Sequence, residues 1–402
     1  MNEGQPAAAA LTISCLVVFF VLAGPVLALA PLGMAPLVIA ASVVATTTER
    51  IVNRRWPRLS GPPLYLSALF LIWCAISLAW DINIRDGAAK LLALVVIFGS
   101  ALVLLGIASE TAPEQRKRLA YALVSGAVIG LGLLAVETIF GFPIYRAVMG
   151  HGSPKLNDLL ESKRSVDAMP LIVWPAALAL ERLRRPWLGA LLAVAFTVAS
   201  FKLTASASEM AMLAGVALLG FASLWAVSAR RVLIIGTLAA FVLIIPASIF
   251  LYDAGGATNP ALKYSARQRV EIWHFAAEHA LHRPLFGYGL DASRFMPNGG
   301  AVSIFQSPDK PIIPLHPHDA FLQIWLELGI VGVAVAAAIL ITILNAIRTW
   351  PPSAARFALP AYAAAAIVAG LAFGIWQVWW LATLAFGLIA CRFVVITDRD
   401  YA

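Results

Sequence analysis

The chain has 402 residues, with 29 lysines and arginines against 21 aspartates and glutamates, giving a formal charge of +8. It is 61% hydrophobic and 12% charged, with a mean hydropathy of +0.86, whereas soluble domains carry about 25% charged residues. These values exclude an ordinary soluble domain and point to an all-α, polytopic membrane protein, because a membrane barrel needs short alternating strands rather than long apolar runs.

Twelve spans are predicted, near residues 11–30, 32–48, 64–80, 89–107, 120–140, 168–181, 187–204, 210–228, 232–252, 322–346, 357–374 and 377–395. The opening MNEGQP carries no Lys or Arg, and a second apolar run follows the first at once. Ala28-Leu29-Ala30 therefore reads as part of a retained span rather than a signal-peptide cleavage site. Cys15, Cys74 and Cys391 fall in three different apolar runs, as small packing residues rather than a disulfide or metal framework. Pro31, Pro186 and Pro351-Pro352 punctuate connections.

The short loops set an orientation. Arg50, Arg54, Arg55 and Arg58 follow span two, and Arg116, Lys117 and Arg118 follow span four. Arg182, Arg184 and Arg185 follow span six, Arg230 and Arg231 span eight, Arg348 and Arg356 span ten, and Arg392 and Arg399 span twelve. Every even-numbered exit is basic, so both termini are expected in the cytoplasm. Trp376, Trp379 and Trp380 are then expected at the outer interface. The remaining cations (Arg85, Lys90, Arg146, Lys155, Lys163, Arg164, Lys202, Lys263, Arg267, Arg269, Arg283, Arg294 and Lys310) and all six histidines are expected on the outer side. A basic outer cluster above a bilayer suits a phosphorylated lipid.

Two outer insertions stand out, near 141–167 and 253–319, both longer than ordinary connections. The second contains a helical pattern with Val270, Trp273, Ala277, Ala280 and Leu281 on one face, an amphipathic helix for the bundle surface or the interface. Arg269 and Trp273 lie one helical turn apart, and Arg267 two residues earlier; a guanidinium fork binds phosphate oxygens in bidentate fashion. Arg164 opens span six, placed either to bind an anion or simply to snorkel. Glu271, His274, Glu278 and His282 have ligand-type spacing, but no second helix carries a matching E-x-x-H, so no metal centre is predicted. Gly287-Tyr288-Gly289 reads as a tight turn, because no strand precedes it and no P-loop Lys follows. His316-Pro317-His318-Asp319 leads into an apolar run. Asp319 suits a helix N-cap, and a neutral His318 at the helix start suits a general base. The span centres read as almost free of charge, with Glu137, Lys202 and Glu209 near outer ends, which argues against a transporter.

In order, S-x-R-x-R-x-x-x-W, R-P-x-x-G-x-G and H-P-H-x-x-x-L-Q-x-W-x-E-x-G-x-x-G resemble the O-antigen ligase/O-antigen polymerase family of bacterial envelope proteins. The resemblance covers about 70 residues closely, and the twelve-span layout with one large loop before span ten extends it. It implies an inverting, metal-independent glycosyltransferase without a cofactor. Undecaprenyl-diphosphate-linked glycan would be the donor and a sugar hydroxyl of lipid A–core the acceptor, with membrane lipids as surroundings and no nucleic acid. The site would lie on the periplasmic side of the inner membrane. The implied layout is residues 1–252 with spans one to nine and a small periplasmic loop at 141–167, a large catalytic periplasmic loop at 253–319, and residues 320–402 with spans ten to twelve. His318 matches the second His of H-P-H, the implied base. Arg269 matches the Arg before the spaced Trp, implied to bind the diphosphate, with Arg164 a looser match and Arg267 beside it. His316, Asp319 and Trp273 would support them. Ser206 and Ser208, before Glu209, resemble a small-polar turn opening span eight. The family usually has Asn where this chain has Asp319, and an ionised Asp319 would raise the pKa of His318. The same fold and donor also serve a polymerase or a protein O-oligosaccharyltransferase; a polysaccharide-lipid transporter is the reading from another class.

Overall fold

The structure, a computed structural model, describes residues 4–51, 54–59, 61–149, 163–203, 206–299, 302–305 and 310–395. It is 81% helical, with no strand among the described residues. In chain order the helices are α1 Gly4–Leu29, α2 Met34–Ile51, α3 Pro62–Ser77, α4 Ile84–Glu110, α5 Pro113–Ile139, the short α6 Pro143–Met149, α7 Pro170–Arg182 and α8 Pro186–Lys202. They continue with α9 Ser206–Asp253, α10 Tyr264–His282, α11 Ala320–Ile347, α12 Pro352–Leu371 and α13 Val378–Val394. A helical turn at 163–168 leads into α7. Proline opens α3, α5, α6, α7, α8 and α12, where its missing N–H would have had no partner in the helix. His151, Lys155 and Arg399 lie outside the described residues.

Each predicted apolar run falls on helix. Among the described residues eight helices are long and apolar enough to cross a membrane, while α8 and α13 are shorter apolar helices. The predicted break between spans eight and nine is relocated. Arg230 and Arg231 are helical, and residues 206–253 form one 48-residue element. At 1.5 Å per residue it would reach about 72 Å, far beyond a bilayer core of roughly 30 Å. It instead doubles back at Trp225, whose φ of −138° and ψ of 60° are not helical. The first leg meets Asp167 at Ser208, the second meets Trp325 at Phe241, and Ala222 and Ala229 pack together with Leu344 and Ile347 at the far end.

Basic exits gather at that far end; most are exposed, but Arg116 is not. Arg116 is fully buried. It donates to the carbonyls of Ala108, Thr111, Arg392 and Val395 at 2.7–2.9 Å. Those groups end α4 and α13, where backbone acceptors lack helical partners and the dipoles favour a cation. Arg356 pairs with Glu181 at 2.8 Å, and Arg55 with Glu49 and Glu110.

Trp376, Trp379 and Trp380 are buried among neighbouring side chains rather than facing outward from the bundle. Trp380 packs on Phe373 and Trp379, and the Trp376 indole N–H is claimed by a carboxylate inside the bundle. The large insertion folds onto the bundle through α10. Ile272, Phe275, Ala276, Ala277 and Ala280 pack against Ile245, Leu322, Leu326, Ile312 and Ile313. Leu281, expected on this face, is exposed instead.

Candidate active site

Three chain ends converge above the bundle: the last turn of α12, the first turn of α11, and the outward edge of α10. Asp319 caps α11, its Oδ1 accepting from the Leu322 N–H at 2.8 Å. The residue before it, His318, has a φ of 59°, a left-handed conformation uncommon for a residue with a side chain. The Pro317 carbonyl accepts from the Trp273 indole N–H at 2.9 Å, which ties the loop to α10. One turn earlier on α10, Arg269 donates to the Leu371 carbonyl, and His318 Nδ1 lies 2.9 Å from the Ala372 carbonyl. Two successive acceptors at the end of α12 thus hold the guanidinium and the imidazole side by side. They are among the carbonyls a helix end leaves without partners, at its negative pole.

A carbonyl can only accept, so Nδ1 of His318 carries the proton and Nε2 keeps its lone pair. Burial lowers the His318 pKa from 6.5; the Ala372 carbonyl opposes this, and the charge of Arg269 adds to it. Asp319 is not among the groups that shift it. Asp319 is itself pushed up to about 7 by burial, against the N–H groups of Leu322 and Phe321. His316 is driven to about 3, first by burial and then by His318, Arg294, Arg269 and Lys90. Its Nδ1 lies 3.3 Å from the His318 amide and its Nε2 2.9 Å from the Gln377 side-chain amide; a neutral ring has one lone pair, so it accepts from only one of them. A second proton would remove that one acceptor. The ring is wedged against Gly374, where a Cβ would stand 2.5 Å from it.

Burial lowers the pKa of Arg269, and Asp167 counteracts. Asp167 sits in the helical turn before α7 and accepts from the Ser208 N–H at 2.9 Å, capping α9. Burial raises it to about 6, opposed by Ser208, Arg269 and Lys163 and aided by Glu209. Arg164 lies one turn before Asp167 in the same helical turn. The Ser206–Ser208 turn therefore serves as the seat for Asp167. Arg267 lies elsewhere, its guanidinium 5.9 Å over the Phe305 ring.

The ligand-type set on α10 does not converge. Glu271 is buried and accepts from Ser303 Oγ at 2.7 Å and the Ile304 N–H at 2.6 Å, while His274 stacks on Tyr252. Gly287-Tyr288-Gly289 is a turn, as expected, and it crosses α11 where that helix breaks at Gly329 (φ 61°, ψ −165°). Tyr288 and Gly289 donate to the Leu326 and Glu327 carbonyls released by the break. The sequence reading missed Asp167, Gln377 and Glu327. Glu327 is fully buried within α11, near the end of the span that His318 precedes. Its place in W-x-E-x-G was the available signal.

Residues 192–337 match the family model described as O-antigen ligase. Arg269, Trp273, His316, His318, Asp319 and Glu327 lie inside the match; Arg164, Asp167, Leu371, Ala372 and Gln377 lie outside it. Curated relatives include proteins provisionally named polysaccharide ligase from three Rickettsia species. That of Rickettsia prowazekii is 34% identical over 144 residues, 35% of this chain and 35% of the relative. That of Rickettsia conorii is 33% identical over 146 residues, 35% of this chain and 34% of the relative. That of Rickettsia felis is 32% identical over 144 residues, with 35% and 34% covered. The chain thus aligns with about a third of the length of these relatives. The matched stretch, residues 192–337, is similar to the O-antigen ligase family, the same family that the motifs resemble.

Proposed function

Starting from that family, we propose that the chain is a metal-independent, inverting glycosyltransferase. It moves a glycan from undecaprenyl diphosphate to a sugar hydroxyl of lipid A–core. The His318 end of the bundle faces the periplasm, and both termini lie in the cytoplasm of a multi-pass inner-membrane protein. The observation that carries the reading is the commitment of His318 Nδ1 to the Ala372 carbonyl beside Arg269. It leaves a neutral imidazole with its Nε2 lone pair adjoining a guanidinium.

His318 Nε2 takes the proton as the acceptor oxygen attacks the anomeric carbon. The bond from that carbon to the diphosphate oxygen breaks, and its electron pair leaves with the diphosphate. Attack opposite the leaving group inverts the anomeric centre. Arg269 meets the charge that develops on the diphosphate, where a preorganised cation acts most strongly, and Arg164 approaches from the turn that carries Asp167. Asp319 and Trp273 hold the loop, and His316 buttresses His318. ATP is unnecessary because the donor is already activated.

The test is transfer in liposomes from undecaprenyl-diphosphate glycan to lipid A–core, with EDTA and without ATP. Product from the wild type and none from His318→Ala supports the reading. Lengthened donor glycan with unmodified lipid A reassigns the chain to polymerisation, and transfer to a protein acceptor to protein O-glycosylation. Folded protein that transfers to none of these overturns it.

A further inference from the structure

Behind the H-P-H loop, four residues from four segments close a ring of polar contacts. Glu327 on α11 uses both carboxylate oxygens. Oε2 accepts from the Asp291 N–H at 2.6 Å and from the Trp376 indole N–H; Oε1 accepts from the Gln323 amide at 2.9 Å and the Ser293 N–H at 3.3 Å. The Asp291 carboxylate faces Lys90 Nζ of α4 at 3.6 Å, and Lys90 donates to the Trp376 carbonyl at 3.3 Å. Trp376 is therefore gripped at both ends, the indole by Glu327 and the carbonyl by Lys90. The backbone meets the same demand: Asp291 adopts a φ of 63°, left-handed for a residue with a side chain, in the turn that presents its N–H to Glu327. Gln323, already donating to Glu327, accepts from the Ile375 N–H at 3.0 Å.

All these contacts fix one short link, residues 374–377, between α12 and α13. That link is the wall on which His316 rests. Gly374 leaves room for the imidazole, and the Gln377 amide donates to its Nε2. Trp379 Nε1 donates to Gln377 Oε1 at 3.1 Å, which points the amide nitrogen at the ring. His316 in turn lies 4.2 Å, centroid to centroid, from His318. A buried polar network with every member partnered is rigid, and losing one partner leaves buried groups unmatched.

We propose that Glu327 and Lys90 are positioning residues for transfer, acting through Trp376 and Gln377 on the His316–His318 pair. This rests on the reading of His318 as the base. Glu327 touches no reacting atom; it sets the wall against which the base is aimed. Glu327→Gln is disruptive despite its shape, because in either orientation an amide nitrogen must face donors: the Trp376 and Asp291 N–H groups, or the Gln323 amide and the Ser293 N–H.

The experiment compares Glu327→Gln, Lys90→Met and Trp376→Phe, which removes the indole N–H and leaves a smaller ring, in full-length protein in liposomes. Trp73→Phe is the control. Its indole N–H bonds the Leu328 carbonyl beside the same helix break but takes no part in the ring. The expected result is a kcat lower by about 10- to 100-fold in the ring variants, on the scale of a misplaced catalytic group, with KM nearly unchanged. The double variant Glu327→Gln/Lys90→Met falls short of the product of the two single losses. Trp73→Phe lowers melting temperature but not kcat. In parallel, ring ¹⁵N shifts of labelled histidine, assigned with His316→Asn, report tautomer and titration of His316 without any substrate. They are expected to change in the ring variants and not in Trp73→Phe. Folded ring variants with wild-type kcat and unchanged His316 signals overturn the proposal. Altered His316 signals in a protein with no transfer, or with transfer indifferent to His318→Ala, leave the ring standing and remove the reading of the site.

Discussion

Arginine does opposite work at the two ends of this bundle. At the end away from His318, Arg116 is surrounded by backbone carbonyls, and Arg55 and Arg356 lie against carboxylates. At the other end Arg269 donates to one carbonyl, makes no second hydrogen bond among the described residues, and has the charge of Asp167 nearby. Both arginines sit at helix C-termini, where the dipole welcomes a cation. A saturated arginine closes a structure, whereas one held by a single bond keeps donors for a ligand. The same contrast separates His316, with both ring nitrogens in contact with amides, from His318, with one nitrogen committed.

Activity measurements sharpen this first. His318→Ala is expected to reduce transfer by about 10²–10⁴-fold, the usual worth of a general base. Arg269→Ala is expected to cost about 10²–10³-fold, as for other charge-stabilising donors. Steady-state rates in liposomes check both, with melting temperatures close to wild type. Arg116→Leu is the converse. It strips partners from several buried carbonyls, each worth about 1–3 kcal/mol when left unmatched. Melting temperature and yield should fall while kcat per folded molecule holds. A folded Arg116→Leu protein with lost transfer would break the comparison.

The pH dependence follows from the directions at the site. The base works neutral, and burial lowers His318 from 6.5, so the acid limb of kcat should lie below pH 6.5, with a flat rate above it. A limb above pH 6.5 would mean that the charge of Asp319 governs His318. Asp319 itself affects stability with the opposite slope. Its folded pKa is raised from 3.8 to about 7, so the folded chain keeps a proton that the unfolded chain has lost. Stability from this group therefore declines as pH rises from about 4 to about 7 and is level above that. Asp319→Asn retains an oxygen for the cap and removes the titration. Its advantage in melting temperature should grow over that window and then stay constant, at about 1 kcal/mol or more for a shift above one pK unit. Thermal unfolding in detergent across the pH range reads this directly.

Residues with local signatures were legible. Asp319 before an apolar run announced its cap, H-P-H and R-x-x-x-W announced the loop and its brace, and apolar run lengths announced the helices. What stayed hidden depends on contacts between distant segments. Nothing near Asp167 says that it caps Ser208, 41 residues on, and nothing near Ala372 says that its carbonyl fixes a tautomer 54 residues earlier. Arg116 looked like a solvated topology charge because the carbonyls that bury it come from the other end of the chain. The tryptophans after span eleven were read as an interfacial belt for the same reason. Their partners, Glu327 and Phe373, are set by packing rather than by spacing along the chain.

The smallest expected effect falls on Arg267, which the sequence places beside Arg269 on equal terms. Two residues along a helix is a turn of about 200°, so the two guanidinium groups leave α10 on nearly opposite sides. Arg269 reaches the end of α12, while Arg267 lies over Phe305, a ring that also meets Tyr264. A half-exposed cation–π contact is worth about 0.5–1 kcal/mol. Arg267→Ala should therefore leave transfer within about threefold of wild type and lower stability slightly. Arg267→Lys should retain most of even that. A loss as large as that of Arg269→Ala, at unchanged stability, would mean that the segment around Phe305 swings Arg267 onto the donor. The distinction between a saturated and an available arginine would then depend on which ligand is bound.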